Sequence, residues 1–115
     1  MIKSAIDYYD DVCQIQFEIT KKFSELNEQL SHYDEKISAI HHEIENNVFN
    51  EADGYNYAKQ LQEILKARRI VKNEIRRFYP LIDFFDDDLV SRLLRRITNV
   101  LETEKYEIER EVSAV

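Results

Sequence analysis

The chain contains one glycine, Gly54, and one proline, Pro80, among its 115 residues. Turns that need positive φ draw on glycine, and sharp helix breaks draw on proline. A chain with so little of either is confined to a few long helices joined by short connectors. The constraint reaches function as well. A thin protein of long helices has no obvious place for a deep pocket, and glycine-poor connectors are poor material for the mobile loops of most enzymes.

The rest of the composition narrows the class. Charged residues make up 34% of the chain and hydrophobic residues 43%, a balance suited to solvent-exposed helices or coiled coils rather than to disorder. Seven tyrosines and six phenylalanines argue further against a disordered tail. The length fits a single all-helical domain. No segment approaches the ~20 apolar residues of a membrane span. The opening Met1-Ile2-Lys3-Ser4 runs into Asp7, Asp10 and Asp11, which does not read as a secretory leader. Cys13 has no second cysteine to pair with and gives no sign of an oxidising compartment. A cytoplasmic protein without a membrane is therefore expected.

Apolar residues recur at spacings of three and four from Ile2 to Val48, through Ile6, Tyr9, Cys13, Ile19, Phe23 and onward to Ile37, Ile40 and Ile44. This period near 3.5 predicts one helix over about 2–48, ~68 Å long at 1.5 Å per residue. Gln16 and Thr20 weaken the stripe, so a kink or a change of partner is expected there. Residues 46–54 read as a turn, with Asn50 as a helix cap and Asp53 as its reciprocal partner. A second helix is predicted over 51–79 with Tyr57, Leu61, Ile64, Leu65, Arg68, Val71, Ile75 and Phe78 inward. Gly54, in its first turn, either admits the backbone of the first helix or marks a frayed start. Pro80 predicts a break or sharp kink near 79–85. A third helix over about 86–112 is capped by Asp86 or Asp87, with Leu89, Leu93, Leu94, Ile97, Val100, Leu101 and Ile108 inward.

The expected architecture is all-α: a long antiparallel helical hairpin or coiled coil with a third helix. That helix packs on the pair or runs along the first half of the first helix. Either layout leaves part of the first helix's seam without a partner from its own chain, so a homo-oligomer is expected.

Charge is laid out in blocks within a net −7. Residues 1–58 carry four Lys/Arg against twelve Asp/Glu, whereas residues 59–77 carry seven against two. The basic block holds Arg68, Arg69, Lys72, Arg76 and Arg77, which at helical spacing could receive an anion or a partner. Pairing with the acidic first helix is the more economical reading. In a hairpin turning near residue 50, Arg68 falls opposite Tyr33, Asp34 and Glu35, and Lys72 near Glu28. Arg68, inside the apolar stripe, is then the residue that sets register. Asp7, Tyr8, Asp10, Asp11 and Tyr55 form a candidate acidic and aromatic partner-binding face, tyrosine being frequent at binding hot spots.

Other groupings carry less. His41 and Glu45 stand at i and i+4, a spacing that can present two ligands to a metal. The second helix offers no further His or Cys, and His42-Glu43-Ile44-Glu45 does not match the two-histidine zinc protease order. A histidine bonded to Glu45 or Tyr57 is the expected outcome. The run Asp86-Asp87-Asp88 lacks the glycine of a calcium loop and is explained by helix capping. Cys13 lies on the apolar stripe with no neighbouring base, so an inert thiol is expected. No catalytic residue, cofactor or metal is assigned.

One resemblance emerges from the middle of the chain. His41-His42-Glu43-Ile44-Glu45, Gly54-Tyr55, Leu61 and Leu65, Arg68-Arg69 and Val71-Lys72-Asn73-Glu74 follow one another in order. This order resembles small helical accessory proteins encoded by phages and prophages of low-GC Gram-positive bacteria, over residues 41–74. The resemblance implies a phage product in the host cytoplasm that binds a host enzyme, the transcription machinery or a defence system. The expected function is thus a non-enzymatic interaction module of the host-takeover or anti-defence inhibitor type. The alternatives are a nucleic-acid- or nucleotide-binding protein using residues 66–77, or a purely structural coiled coil.

Overall fold

A computed structural model of the chain describes residues 2–113. Three helices follow in order: α1 (Ala5–Asn46), α2 (Glu51–Asp86) and α3 (Asp88–Ser113). No strand occurs among the described residues, and none of them has positive φ, Gly54 included. The all-α class and the helical hairpin expected from the glycine count are thus what the chain adopts.

Each helix begins at a side-chain cap, because the first turn of a helix leaves backbone N–H groups without partners. At α1, Asp7 N–H donates to Ser4 Oγ at 3.2 Å and Ser4 N–H donates to Asp7 Oδ2 at 2.9 Å. At α2, Asp53 N–H donates to Asn50 Oδ1 at 2.9 Å, and Asn50 N–H reaches Asp53 Oδ2 at 3.4 Å. At α3, Leu89 N–H donates to Asp87 Oδ1 at 2.8 Å. These caps, reciprocal at α1 and α2, fix where the helices start, so connectors of a few residues suffice.

The expected break at Pro80 does not occur. Helix α2 runs through it to Asp86, and only Asp87 separates α2 from α3. A proline inside a helix removes one hydrogen bond and costs ~3 kcal/mol. Here Pro80 and Arg76, whose carbonyl loses its donor, are both exposed, so water can take the bond. On the opposite side the half-buried positions continue in register through Phe78, Ile82 and Phe85. Side-chain packing on one face outweighs the local defect on the other.

The chain divides into two compact units. The hairpin unit, Glu18–Tyr79, pairs the later part of α1 with most of α2, antiparallel. Its register is set at two points: Phe23 meets Tyr79 edge-on at 5.6 Å between ring centres at the open end, and Arg68 Nε donates to Asp34 Oδ1 at 2.6 Å near the middle. Leu26, Val71 and Ile75 are buried there, with Phe23, Leu30, Tyr33 and Phe78 packed around them. Ile40 is buried nearer the turn. Leu65, expected inward, is 51% exposed: the seam follows Leu61, Ile64 and Arg68, and Leu65 lies a step round the helix. Gly54 also departs from expectation. The aromatic ring of Phe49, rather than the α1 backbone, lies over it, and the same ring meets Tyr57 edge-on at 5.5 Å.

The terminal unit joins residues up to Phe17 with those from Pro80 onward. In it α3 runs antiparallel to the start of α1, and the Tyr9 hydroxyl shares a 2.7 Å hydrogen bond with Thr98 Oγ1. The same register sets Cys13 opposite Leu94 and Gln16 opposite Ser91, all four half-buried. The α1 residues change unit between Phe17 and Glu18, within the weakened stretch around Gln16 and Thr20. From Tyr9 to Ile44 the stripe of α1 is half-buried or buried within its own chain, by α3 first and by α2 afterwards, whereas Ile2 and Ile6 at its start stay exposed. The expected vacancy on that seam is confined to those first positions.

Candidate interaction surfaces

Two surfaces bring side chains together, one in each unit. In the hairpin unit it is the solvent side of α2. The seam residues of α2 recur with period 3.5, and so does a second, exposed set on the flank of the helix, one position round from the seam: Tyr55, Ala58, Gln62, Leu65, Arg69, Lys72 and Arg76. The two sets can coexist because a 3.5-residue repeat started one or two positions later stays on its own side of the helix. Toward the start of α2 the outer set is aromatic and apolar, with Tyr55 68% exposed. Toward residue 76 it becomes a groove of about 490 Å³ lined by Arg68, Arg69, Lys72, Asn73 and Arg76 beside Leu65.

The five basic candidates do not behave alike. Arg68 is half-buried and held by Asp34, the structural role its place in the stripe suggests. Arg77 leaves the groove and pairs with Glu74 at 3.1 Å. Arg69, Lys72 and Arg76 line the groove, and none of them makes an ion pair with a described residue. The expected approach of Lys72 to Glu28 is not among the ion pairs of the described residues. Among the described residues, Arg68, the cation inside the stripe, is the one of the five that pairs with a carboxylate on α1.

The acidic and aromatic candidates fall in separate units. Tyr55 belongs to the hairpin unit, whereas Asp7, Tyr8, Asp10 and Asp11 belong to the terminal unit. Asp7 is engaged in the α1 cap, and Asp11 pairs with Lys3 at 2.6 Å. The Lys3 ammonium also stands 5.7 Å from the centre of the exposed Tyr8 ring.

The second surface lies on α3. Its half-buried side, Val90, Leu94, Thr98 and Leu101, belongs to the unit's interior. Beside it runs another apolar stripe, Leu89, Leu93, Ile97, Val100 and Ile108, each at least 41% exposed. Where this stripe meets the start of α1, Ile6, Ile97, Val100 and Leu101 line a mostly apolar groove of about 410 Å³. Reading the α3 apolar residues as one inward face hid this second side. The signal was their number, since Leu89 through Leu101 supplies more apolar positions than a single seam can hold.

The remaining candidates are local. His42 is partnered by Asn46, whose amide donates to the His42 carbonyl at 2.8 Å and lies 3.2 Å from His42 Nδ1. Tyr57 is engaged with Phe49. Among the described residues no three metal-ligating side chains gather, and no helix is long and apolar enough to cross a membrane. Cys13 is half-buried on the α1 stripe. No family model, curated protein or solved structure matches the chain.

Proposed function

We propose that this chain is a non-enzymatic protein-interaction module whose α2 outer side docks an acidic, amphipathic segment of a partner protein, and that it acts as a homo-oligomer. The observation that carries the reading is the trio Arg69, Lys72 and Arg76, free of ion pairs with described residues and set beside the exposed Leu65 on one helical stripe. Cations next to an apolar strip complement a helix that carries carboxylates beside its own apolar face. Tyr55, farther along the same stripe, is a suitable anchor. The resemblance of residues 41–74 to small phage and prophage proteins supplies the setting: a host protein as partner, in host takeover or counter-defence.

The test compares proteins captured from bacterial host lysate by the natural chain, by an Arg69→Glu/Arg76→Glu chain and by a Leu65→Asp chain, with helicity checked by circular dichroism. The reading expects a protein held by the natural chain and lost from both folded variants. Equal capture by all three removes it. The same trio of cations supports a second reading, a nucleic-acid contact. That reading expects DNA or RNA affinity that falls steeply with salt and is lost on Arg69→Glu/Arg76→Glu but kept on Leu65→Asp.

A further inference from the structure

We infer that the exposed stripe of α3 pairs in antiparallel orientation with α3 of a second copy of this chain. The inference rests on the self-association proposed above and names its surface. The stripe runs at helical spacing through Leu89, Leu93, Ile97 and Val100, is interrupted by Glu104 and resumes at Ile108, all exposed, while the other apolar side of α3 is already turned into its own unit. The groove between Ile6 and Val100 extends the stripe onto α1, which gives the incoming helix two walls. A run of this kind in water is a surface that association covers.

Charge selects the occupant and its direction. The first half of α3 carries Arg92, Arg95 and Arg96 against Asp88, and the second half carries Glu102, Glu104, Glu107, Glu109 and Glu111 against Lys105 and Arg110. Arg92, Arg96, Glu104 and Glu107 are exposed, on or beside the apolar stripe. An antiparallel two-fold crossing near Val100 sets Arg92 and Arg96 of one copy beside Glu104 and Glu107 of the other, twice by symmetry. A parallel crossing sets arginine on arginine and glutamate on glutamate. Flanking charges of this kind fix partner and orientation in paired helices, and a two-fold interface requires the self-complementarity that α3 shows.

Sedimentation equilibrium on the full chain tests the proposal. The expected species has twice the 13.8 kDa chain mass. Ile97→Asp/Val100→Asp, at exposed positions, is expected to give a monomer of unchanged helicity by circular dichroism. Arg92→Glu/Arg96→Glu and Glu104→Arg/Glu107→Arg are each expected to raise the dissociation constant about tenfold, as repulsion replaces attraction in symmetry-doubled surface pairs. Combining all four reversals restores complementarity only in the antiparallel arrangement and is expected to recover the dimer. A monomeric natural chain overturns both the self-association and its surface. A dimer indifferent to Ile97→Asp/Val100→Asp overturns the surface alone. Failure of the four-fold reversal to recover association in a helical protein overturns the antiparallel pairing.

Discussion

Asn50 and Asp53 show how much a pair of side chains decides. Their reciprocal bonds to each other's backbone N–H start α2 and end the connector from α1. Replacing Asn50 with alanine is expected to cost ~1 kcal/mol, read as a lower urea midpoint. Four residues after Asn50, Gly54 sits in the first turn of α2 without positive φ. A Cβ there would meet Phe49 Cε2 at 3.5 Å, an ordinary contact. Gly54→Ala is therefore expected to stabilise the chain by ~0.5–1 kcal/mol, and a lowered midpoint would show that the Phe49 ring needs the space. Arg68 and Asp34 are the residue pair that crosses the hairpin. Because Asp34 is half exposed, a double-mutant cycle is expected to give no more than ~1 kcal/mol of coupling, declining with salt. These features were legible in the sequence because each is a rule of spacing: Asn50 to Asp53, Asp87 before Leu89, Arg68 across from Asp34. The fate of the other basic residues was not legible. Spacing says which residues share a helix face, but not how far a flexible cation reaches once the seam has closed.

At the scale of an element, α2 is a contest between a local rule and a longer pattern. Pro80 ought to end the helix, yet Phe78, Ile82 and Phe85 hold the half-buried side in step through it. The three were visible in the sequence at spacings of four and three. The proline rule overshadowed them because it acts on adjacent residues, whereas the stripe acts through packing. Pro80→Ala would restore an N–H to the Arg76 carbonyl on the exposed side. It is expected to raise stability by up to ~3 kcal/mol, seen as a higher urea midpoint. An unchanged midpoint would mean that water already satisfies that carbonyl fully. Helix α3 illustrates a different failure of sequence reading. Hydrophobic period counts apolar residues without assigning them to partners, so two adjacent apolar sides read as one broad face. Leu94 and Thr98 turn inward while Leu93 and Ile97 face water, a division that the Tyr9–Thr98 contact and the exposures show and spacing does not.

At the scale of the whole molecule, burial is unevenly shared. The four buried residues among those described, Leu26, Ile40, Val71 and Ile75, all belong to the hairpin unit. Ile75→Ala removes packed methyl groups from the deepest part of that seam and is expected to cost ~2–5 kcal/mol by chemical denaturation. The terminal unit has no buried residue among those described and leaves Leu89, Leu93, Ile97 and Val100 in water. That division has a consequence for cooperativity. Backbone amides of α3 are expected to exchange with heavy water well before those flanking Val71 and Ile75, and melting should proceed in two stages with the hairpin outlasting the ends. Raising the protein concentration should draw the earlier stage toward the later one, because a covered α3 would no longer open by itself.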